Sequence, residues 1–270
     1  LDSANVEDAT SSSNIIDIET SSQAFTINNY LGWYGYNSYT NSLSIGLANS
    51  TIDTGIGDDS INISSTAQAS SYVNSWNYYS YINSLSIGLA NSTIDTGIGD
   101  DSINISSTAE ASSFGNSWSW WGWNNSSNAN VSSYGVYGSS INTGSGDDSI
   151  NINASSVSLT RNLWGWDSRK IGLGQSEAIG LDKSTINTGS GDDKVEISAY
   201  SFGTNTNSWA IRNSSIDTGI GNDTVILNAS DLAVSIGEVI EPAYGAVNSS
   251  INLGSGDDSL FINSSGEALS

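Results

Sequence analysis

Cysteine, histidine and methionine are all absent from the 270 residues, and proline occurs once. Without cysteine there is no disulfide and no thiolate chemistry. Without histidine, nitrogen-ligated metal sites and Ser–His nucleophilic arrangements are out of reach. Bases are scarce, 6 against 28 acids, for a formal net charge of −22 at pH 7. A chain this acidic repels nucleic acid phosphates and anionic lipid, so neither is an expected partner. No apolar run approaches the roughly 18 residues of a membrane span, so insertion is not expected. An apolar signal core is also missing behind Leu1. A signal segment has been removed, lies elsewhere, or this is a piece of a longer protein.

The shortage is uneven. All six bases (Arg161, Arg169, Lys170, Lys183, Lys194, Arg212) lie between residues 161 and 212, and residues 1–160 have none. High net charge can signal disorder, but charged residues are only 13% of the chain and hydrophobic ones 37%. The apolar residues are also periodic, which favours a folded chain whose acids are neutralised from elsewhere.

What is present is a repeat. Residues 41–70 and 83–112 differ only by Gln68 and Glu110. The core of the unit occurs at 50–63, 92–105, 139–152, 184–197, 214–227 and 249–262, in forms such as STIDTGIGDDSINI and SSINTGSGDDSINI. Successive first glycines are 42, 47, 45, 30 and 35 residues apart. A fixed core with elastic spacing means that one turn is invariant while a loop elsewhere absorbs the length changes. Such periods indicate a solenoid. Residues 1–270 are therefore read as one repeat domain, with a degenerate first coil in 1–40 and six motif-bearing coils in 41–270. Asn14-Ile15-Ile16-Asp17-Ile18 looks like the end of the degenerate coil.

Period-two patterning identifies strands. Ile61, Ile63, Ala67, Ala69 and Val73 fall on one face, and Asn62 and Ser64 on the other. Leu43, Ile45 and Leu47 alternate again, which predicts a second buried face. Helix formers are few, and near-absent proline suits interior strands. Small inward residues predict a thin core between two close sheets. The expected fold is all-β, a parallel solenoid of six to seven coils, with about 4.8 Å per coil and roughly 30 Å along the axis. Thr54, Thr96, Thr143, Thr188 and Thr218 would form one ladder, interrupted by Leu253, and Asn62, Asn104 and Asn151 another.

Stacking also aligns acids. Asp59, Asp101, Asp148, Asp193, Asp223 and Asp258 share one column, and Asp58, Asp100, Asp147, Asp192, Asn222 and Asp257 the next. Like charges about 5 Å apart at an effective dielectric near 20 repel by about 3 kcal/mol per pair. Several such pairs would exceed the usual stability margin of about 5–15 kcal/mol. Either the carboxylates turn outward into water or divalent cations sit between them. Oxygen ligands in a glycine-rich loop suit Ca²⁺ better than Mg²⁺. The bland alternative is a tight turn whose Asp bonds its own backbone.

The run Thr54-Gly55-Ile56-Gly57-Asp58-Asp59-Ser60-Ile61-Asn62 resembles the nonapeptide of RTX (hemolysin-type) calcium-binding β-rolls. Gly55, Gly57, Asp59 and Ile61 match its later glycines, ligand Asp and buried apolar position. So do Gly97, Gly99 and Asp101; Gly144, Gly146 and Asp148; Gly189, Gly191 and Asp193; Gly219, Gly221 and Asp223; and Gly254, Gly256 and Asp258. The resemblance implies several Ca²⁺ ions held between coils by these aspartates and loop carbonyls, secretion to the cell exterior or surface, and calcium-driven folding. Two departures stand out. The first glycine of the nonapeptide is Thr or Leu here, and the motif occurs once per long coil.

Aromatic residues crowd the opposite loops: Trp33, Trp76, Trp118, Trp120, Trp121 and Trp123, with several tyrosines. They could cap the core, pack against another subunit or bind polysaccharide. No enzyme is expected. A catalytic carboxylate pair needs one copy rather than six, and residues 1–160 offer no cationic partner. With no obvious cap at either end, the expectation is an extracellular calcium-binding structural protein that assembles head to tail with itself. The basic stretch 161–212 could meet the acidic half of a neighbour. The alternative is an adhesin-like polysaccharide-binding module using the aromatic loops, with ice binding by the threonine ladder ranked lower.

Overall fold

The computed structural model describes residues 4–7, 12–30, 36–75, 78–116, 126–162, 174–234 and 242–269. These residues are all-β, without a helix, and build a parallel β-solenoid from three parallel sheets. A short-strand sheet has seven strands: Asn5–Glu7, Thr51–Asp53, Thr93–Asp95, Ser140–Asn142, Thr185–Asn187, Ser215–Asp217 and Ser250–Asn252. A long-strand sheet has seven: Ile15–Tyr30, Ser60–Ser75, Ser102–Asn116, Ser149–Asn162, Lys194–Gly203, Thr224–Val234 and Ser259–Leu269. A return sheet has six: Tyr36–Ala48, Tyr78–Ala90, Ser126–Tyr137, Gly174–Asp182, Asn205–Arg212 and Tyr244–Val247. Each strand pairs only with its counterparts one coil away. The repeat therefore stacks in register, Ser60 on Ser102 on Ser149 on Lys194.

The core has two lobes. Near the Gly-x-Gly corner, Ile52, Ile61, Ile63 and Leu47 and their equivalents form a continuous apolar column. Further along, the long and return sheets close on each other and the filling becomes mostly Ala and Ser, with Ile82 and Val131 among them. Ile61, Ile63, Ala67, Ala69 and Val73 are all buried, as the alternation predicts. In the serine-lined part, hydroxyls bridge the two sheets: Ser65 Oγ donates to Ser44 Oγ at 2.9 Å, and Ser86 Oγ to the Ser65 carbonyl at 2.9 Å.

That narrow gap corrects one expectation. Leu43 is 56% exposed and Ile45 half-buried, while Ser42 and Ser44 face inward. Only Leu47 joins the core. The phase changes at Gly46, where Leu47 and Ala48 are both buried. A Cβ there would meet a methyl of Ile63 and the Gly88 carbonyl at 2.5 Å. The column continues as Gly88, Gly135 and Gly180, against Ile105, Ile152 and Ile197. Where it becomes Ala210, the residue equivalent to Ile197 is Leu227. Leucine lacks the β-branch methyl that would fill the alanine's space.

The threonine ladder forms but faces inward. Thr54, Thr96, Thr143, Thr188 and Thr218 are at most 1% exposed. Their hydroxyls donate to the next coil's carbonyl, as in Thr188 to Thr218 O at 3.1 Å and Thr218 to Leu253 O at 3.0 Å. Buried hydroxyls cannot present a surface to ice.

At the acidic turn, glycine is required twice over. Gly144 has φ +87°, and a Cβ on it would collide with the Gly97 carbonyl below. Gly144→Ala should therefore lower stability by roughly 3 kcal/mol or more. Urea unfolding measures it, and a loss below about 1 kcal/mol would contradict this packing.

Candidate cation-binding corner

The corner is a problem in backbone hydrogen bonding before it is a problem in charge. Most turn amides find a carbonyl one coil away. Ile98 N donates to Gly55 O at 2.9 Å, Gly57 N to Ile98 O at 2.8 Å, and Ser102 N to Asp59 O at 2.8 Å. The amides of the two aspartates are left over, and the aspartate carboxylates take them.

The two columns do this in opposite directions. In the outer column each carboxylate accepts the amide of the following coil: Asp100 N to Asp58 at 3.0 Å, Asp147 N to Asp100 at 2.9 Å, and Asp192 N to Asp147 at 2.8 Å. Asn222 N continues it to Asp192, and Asp257 N donates to the Asn222 amide oxygen. In the inner column each carboxylate accepts the amide of the preceding coil: Asp59 N to Asp101 at 2.8 Å, Asp101 N to Asp148, Asp148 N to Asp193 and Asp193 N to Asp223, each at 2.9 Å. Asn14 N opens that ladder on Asp59, and Asp223 N closes it on Asp258 at 3.0 Å.

The columns also differ in burial. Asp58, Asp100, Asp147, Asp192 and Asp257 are exposed, whereas Asp59, Asp101, Asp148, Asp193 and Asp223 are 1% exposed. The second oxygen of each of those five inner carboxylates has no hydrogen-bond partner. Burial consequently raises Asp101 and Asp193, and pushes Asp148 up to about 6. The Thr96, Thr143 and Thr188 hydroxyls and the bonded amides oppose the rise, while neighbouring carboxylates add to it. Those hydroxyls also donate up the ladder, Thr96 and Thr143 through long 3.4 Å bonds.

Ca²⁺ takes six to eight oxygens. Among the described residues no three acidic side chains converge into a metal-holding group. The twin carboxylates sit on opposite sides of the coil wall, and the Gly55 and Ile98 carbonyls are already occupied by amides. Along the column the carbonyls of Gly55, Gly97, Gly144, Gly189 and Gly219 each accept an amide from the next coil. What suits a hard cation is the outer column. The solvent-facing carboxylates of Asp58, Asp100, Asp147 and Asp192 lie one strand spacing apart and engage one oxygen each with backbone, and Asn222 separates them from Asp257.

A second ladder, not anticipated from the motif, lies at the other end of the short strands. Asn49, Asn91, Gly138, Lys183, Asn213 and Asn248 have positive φ, and each is followed by serine. Ser92 Oγ donates to Ala90 O at 2.7 Å and accepts from Ser50 N at 3.1 Å. Ser139, Ser184, Ser214 and Ser249 repeat the pattern. The signal was the serine that opens every repeat, one residue after a left-handed former.

Trp33, Trp76, Trp118, Trp120, Trp121 and Trp123 lie outside the described residues. So do Arg169 and Lys170 of the basic stretch. Arg212 is committed within the molecule, to Asp182 at 2.8 Å and Glu177 at 3.1 Å, and stacks over Trp209. Lys194 pairs with Glu196 at 3.0 Å. Arg212 is thus spent within the molecule, whereas Lys194 stays half exposed. No family model, curated protein or solved structure matches this chain.

Proposed function

We propose that this chain is an extracellular structural protein that stacks head to tail with copies of itself into filaments or a surface layer, with Ca²⁺ neutralising its acidic corner. One observation carries the reading. Leu260 and Ile262 in the last coil are 41% and 49% exposed, whereas their counterparts Val225 and Leu227 are fully buried. The same rule that stacks one coil on the next would bury them under a second copy. Continuing the register sets Leu260 over Ile16 and Ile262 over Ile18 of that copy.

The acids also accommodate this joint. Each end carries several, yet in register none meets another. Asp258 would face Asn14, Asp257 would face Ser13, Glu267 would face Gln23, and Asn252 would face Glu7. Calcium would be held along the outer column by Asp58, Asp100, Asp147, Asp192 and Asp257, where it supplies the counter-charge that residues 1–160 lack. The exterior of the cell follows from that dependence and from the RTX resemblance. No catalytic step is assigned.

Sedimentation velocity tests the stacking. With Ca²⁺ the wild type should form concentration-dependent oligomers, and the Leu260→Asp/Ile262→Asp variant should remain monomeric at a temperature where its circular dichroism shows it still folded, with a melting temperature somewhat below the wild type because both side chains are half covered. A wild type that stays monomeric, or a variant that assembles equally well, would overturn the reading.

A further inference from the structure

A shallow polar groove of about 230 Å³ crosses the outer face of the return sheet. It spans three coils, and the register defines two rows across its floor. Asn130, Gln175 and Asn205 form one row, and Ser132, Glu177 and Asn207 the other.

The first row should have extended an amide ladder. Asn83 Nδ2 donates to Asn41 at 2.8 Å, and Asn130 Nδ2 donates to Asn83 at 3.2 Å. The ladder stops there. Among the described residues, the side-chain amides of Gln175, Asn205 and Asn207 make no hydrogen bond. Three carboxamides, each both donor and acceptor, thus converge on one groove with their bonding capacity unspent. Between them Glu177 is held rigidly. Arg212 donates to its Oε1 at 3.1 Å, and the Tyr134 hydroxyl to its Oε2 at 3.2 Å. The carboxylate is preorganised and its charge is offset locally by Arg212. Two residues further along these strands, Trp209 stacks on Tyr244 and beneath Arg212, which fixes the guanidinium that holds Glu177.

We infer that this groove binds a neutral oligosaccharide lying across the strands. Unspent amides and a fixed carboxylate match sugar hydroxyls, which donate and accept in turn. The two outer coils of the groove are about 10 Å apart, enough for a short run of sugar rings. A net charge of −22 selects against acidic glycans. The site uses none of the tryptophan loops and does not depend on end-to-end stacking.

Isothermal titration of the full chain with cellohexaose and maltohexaose, and with an oligogalacturonate as the charged comparison, tests the inference. At least one neutral hexaose should bind, and the oligogalacturonate should not. The Gln175→Ala/Asn205→Ala variant should weaken the neutral ligand roughly fivefold or more. Both side chains are exposed, so its melting temperature should match the wild type. No binding by either neutral hexaose, unchanged affinity in the variant, or equal affinity for the charged oligomer would overturn it.

Discussion

Asp148→Ala should lower stability by about 2–3 kcal/mol at pH 5, whereas Asp147→Ala, one residue away, should cost less than about 1 kcal/mol. The neighbours have the same chemistry and opposite surroundings. Asp148 is 1% exposed and is the acceptor for the Asp101 amide at 2.9 Å, so its loss strands a buried donor. Asp147 accepts the Asp192 amide at 2.8 Å in an exposed column, where water can replace it. Asp148→Asn keeps the accepting oxygen and should recover most of the loss. At pH 7 the Asp148→Ala penalty should shrink, because there the mutation also removes a carboxylate ionised against burial. Urea unfolding of the three variants measures these differences. Equal losses at 147 and 148 would mean that the inner column does not tie the coils as described.

In chelator, the protein should become more stable as the pH falls from about 7 towards 4, the reverse of ordinary acid denaturation. The sign follows from the buried acids. Asp148 and Asp231 are pushed up to about 6, and Asp101 and Asp193 are also raised, chiefly by burial. An acid with a raised folded-state pKa binds its proton more tightly when folded. Its contribution is complete below the unfolded value near 3.9 and is lost as the pH rises through the folded value near 6. A shift of that size corresponds to about 2–3 kcal/mol for Asp148. Asp231 is 1% exposed, its oxygens have no hydrogen-bond partner, and the Ser208 hydroxyl and amide nearby offset its shift only in part. Thermal melting at pH 7.5 and pH 5 in EDTA reads the effect directly. A lower midpoint at pH 5 would contradict a buried, unneutralised inner column.

The repeat carried most of the fold. Six copies of one core with elastic spacing dictate stacked coils, and the alternation at Ile61 to Val73 identified the inward face of the long strands. The return strands misled at Leu43 and Ile45. Alternation gives two faces but does not say which is inside. That choice was made by the phase change at Gly46, which turns Ser42 and Ser44 inward to bond the facing strand. The pairing of Gly180 with Ile197, and of Ala210 with Leu227, was equally hidden, because it exists only across sheets. At the acidic corner, the composition exposed the charge problem but not its local resolution. Nothing in Gly-x-Gly-Asp-Asp says that one carboxylate binds the amide ahead and the other the amide behind. The motif is compatible with a bound cation and with an aspartate bonding its own turn. The bonds instead run between coils, so the acids hold the stack together. The serine corner could have been read earlier, since serine opens all six motifs.

Fibre diffraction from aligned, calcium-treated protein tests the assembly most directly. End-to-end stacking of seven coils predicts a meridional reflection at about 4.8 Å from strands lying across the fibre, with a longer axial repeat of about 34 Å from one molecule. Both should disappear in the Leu260→Asp/Ile262→Asp variant. Absence of fibres in calcium, or fibres without the molecular repeat along their axis, would contradict the account.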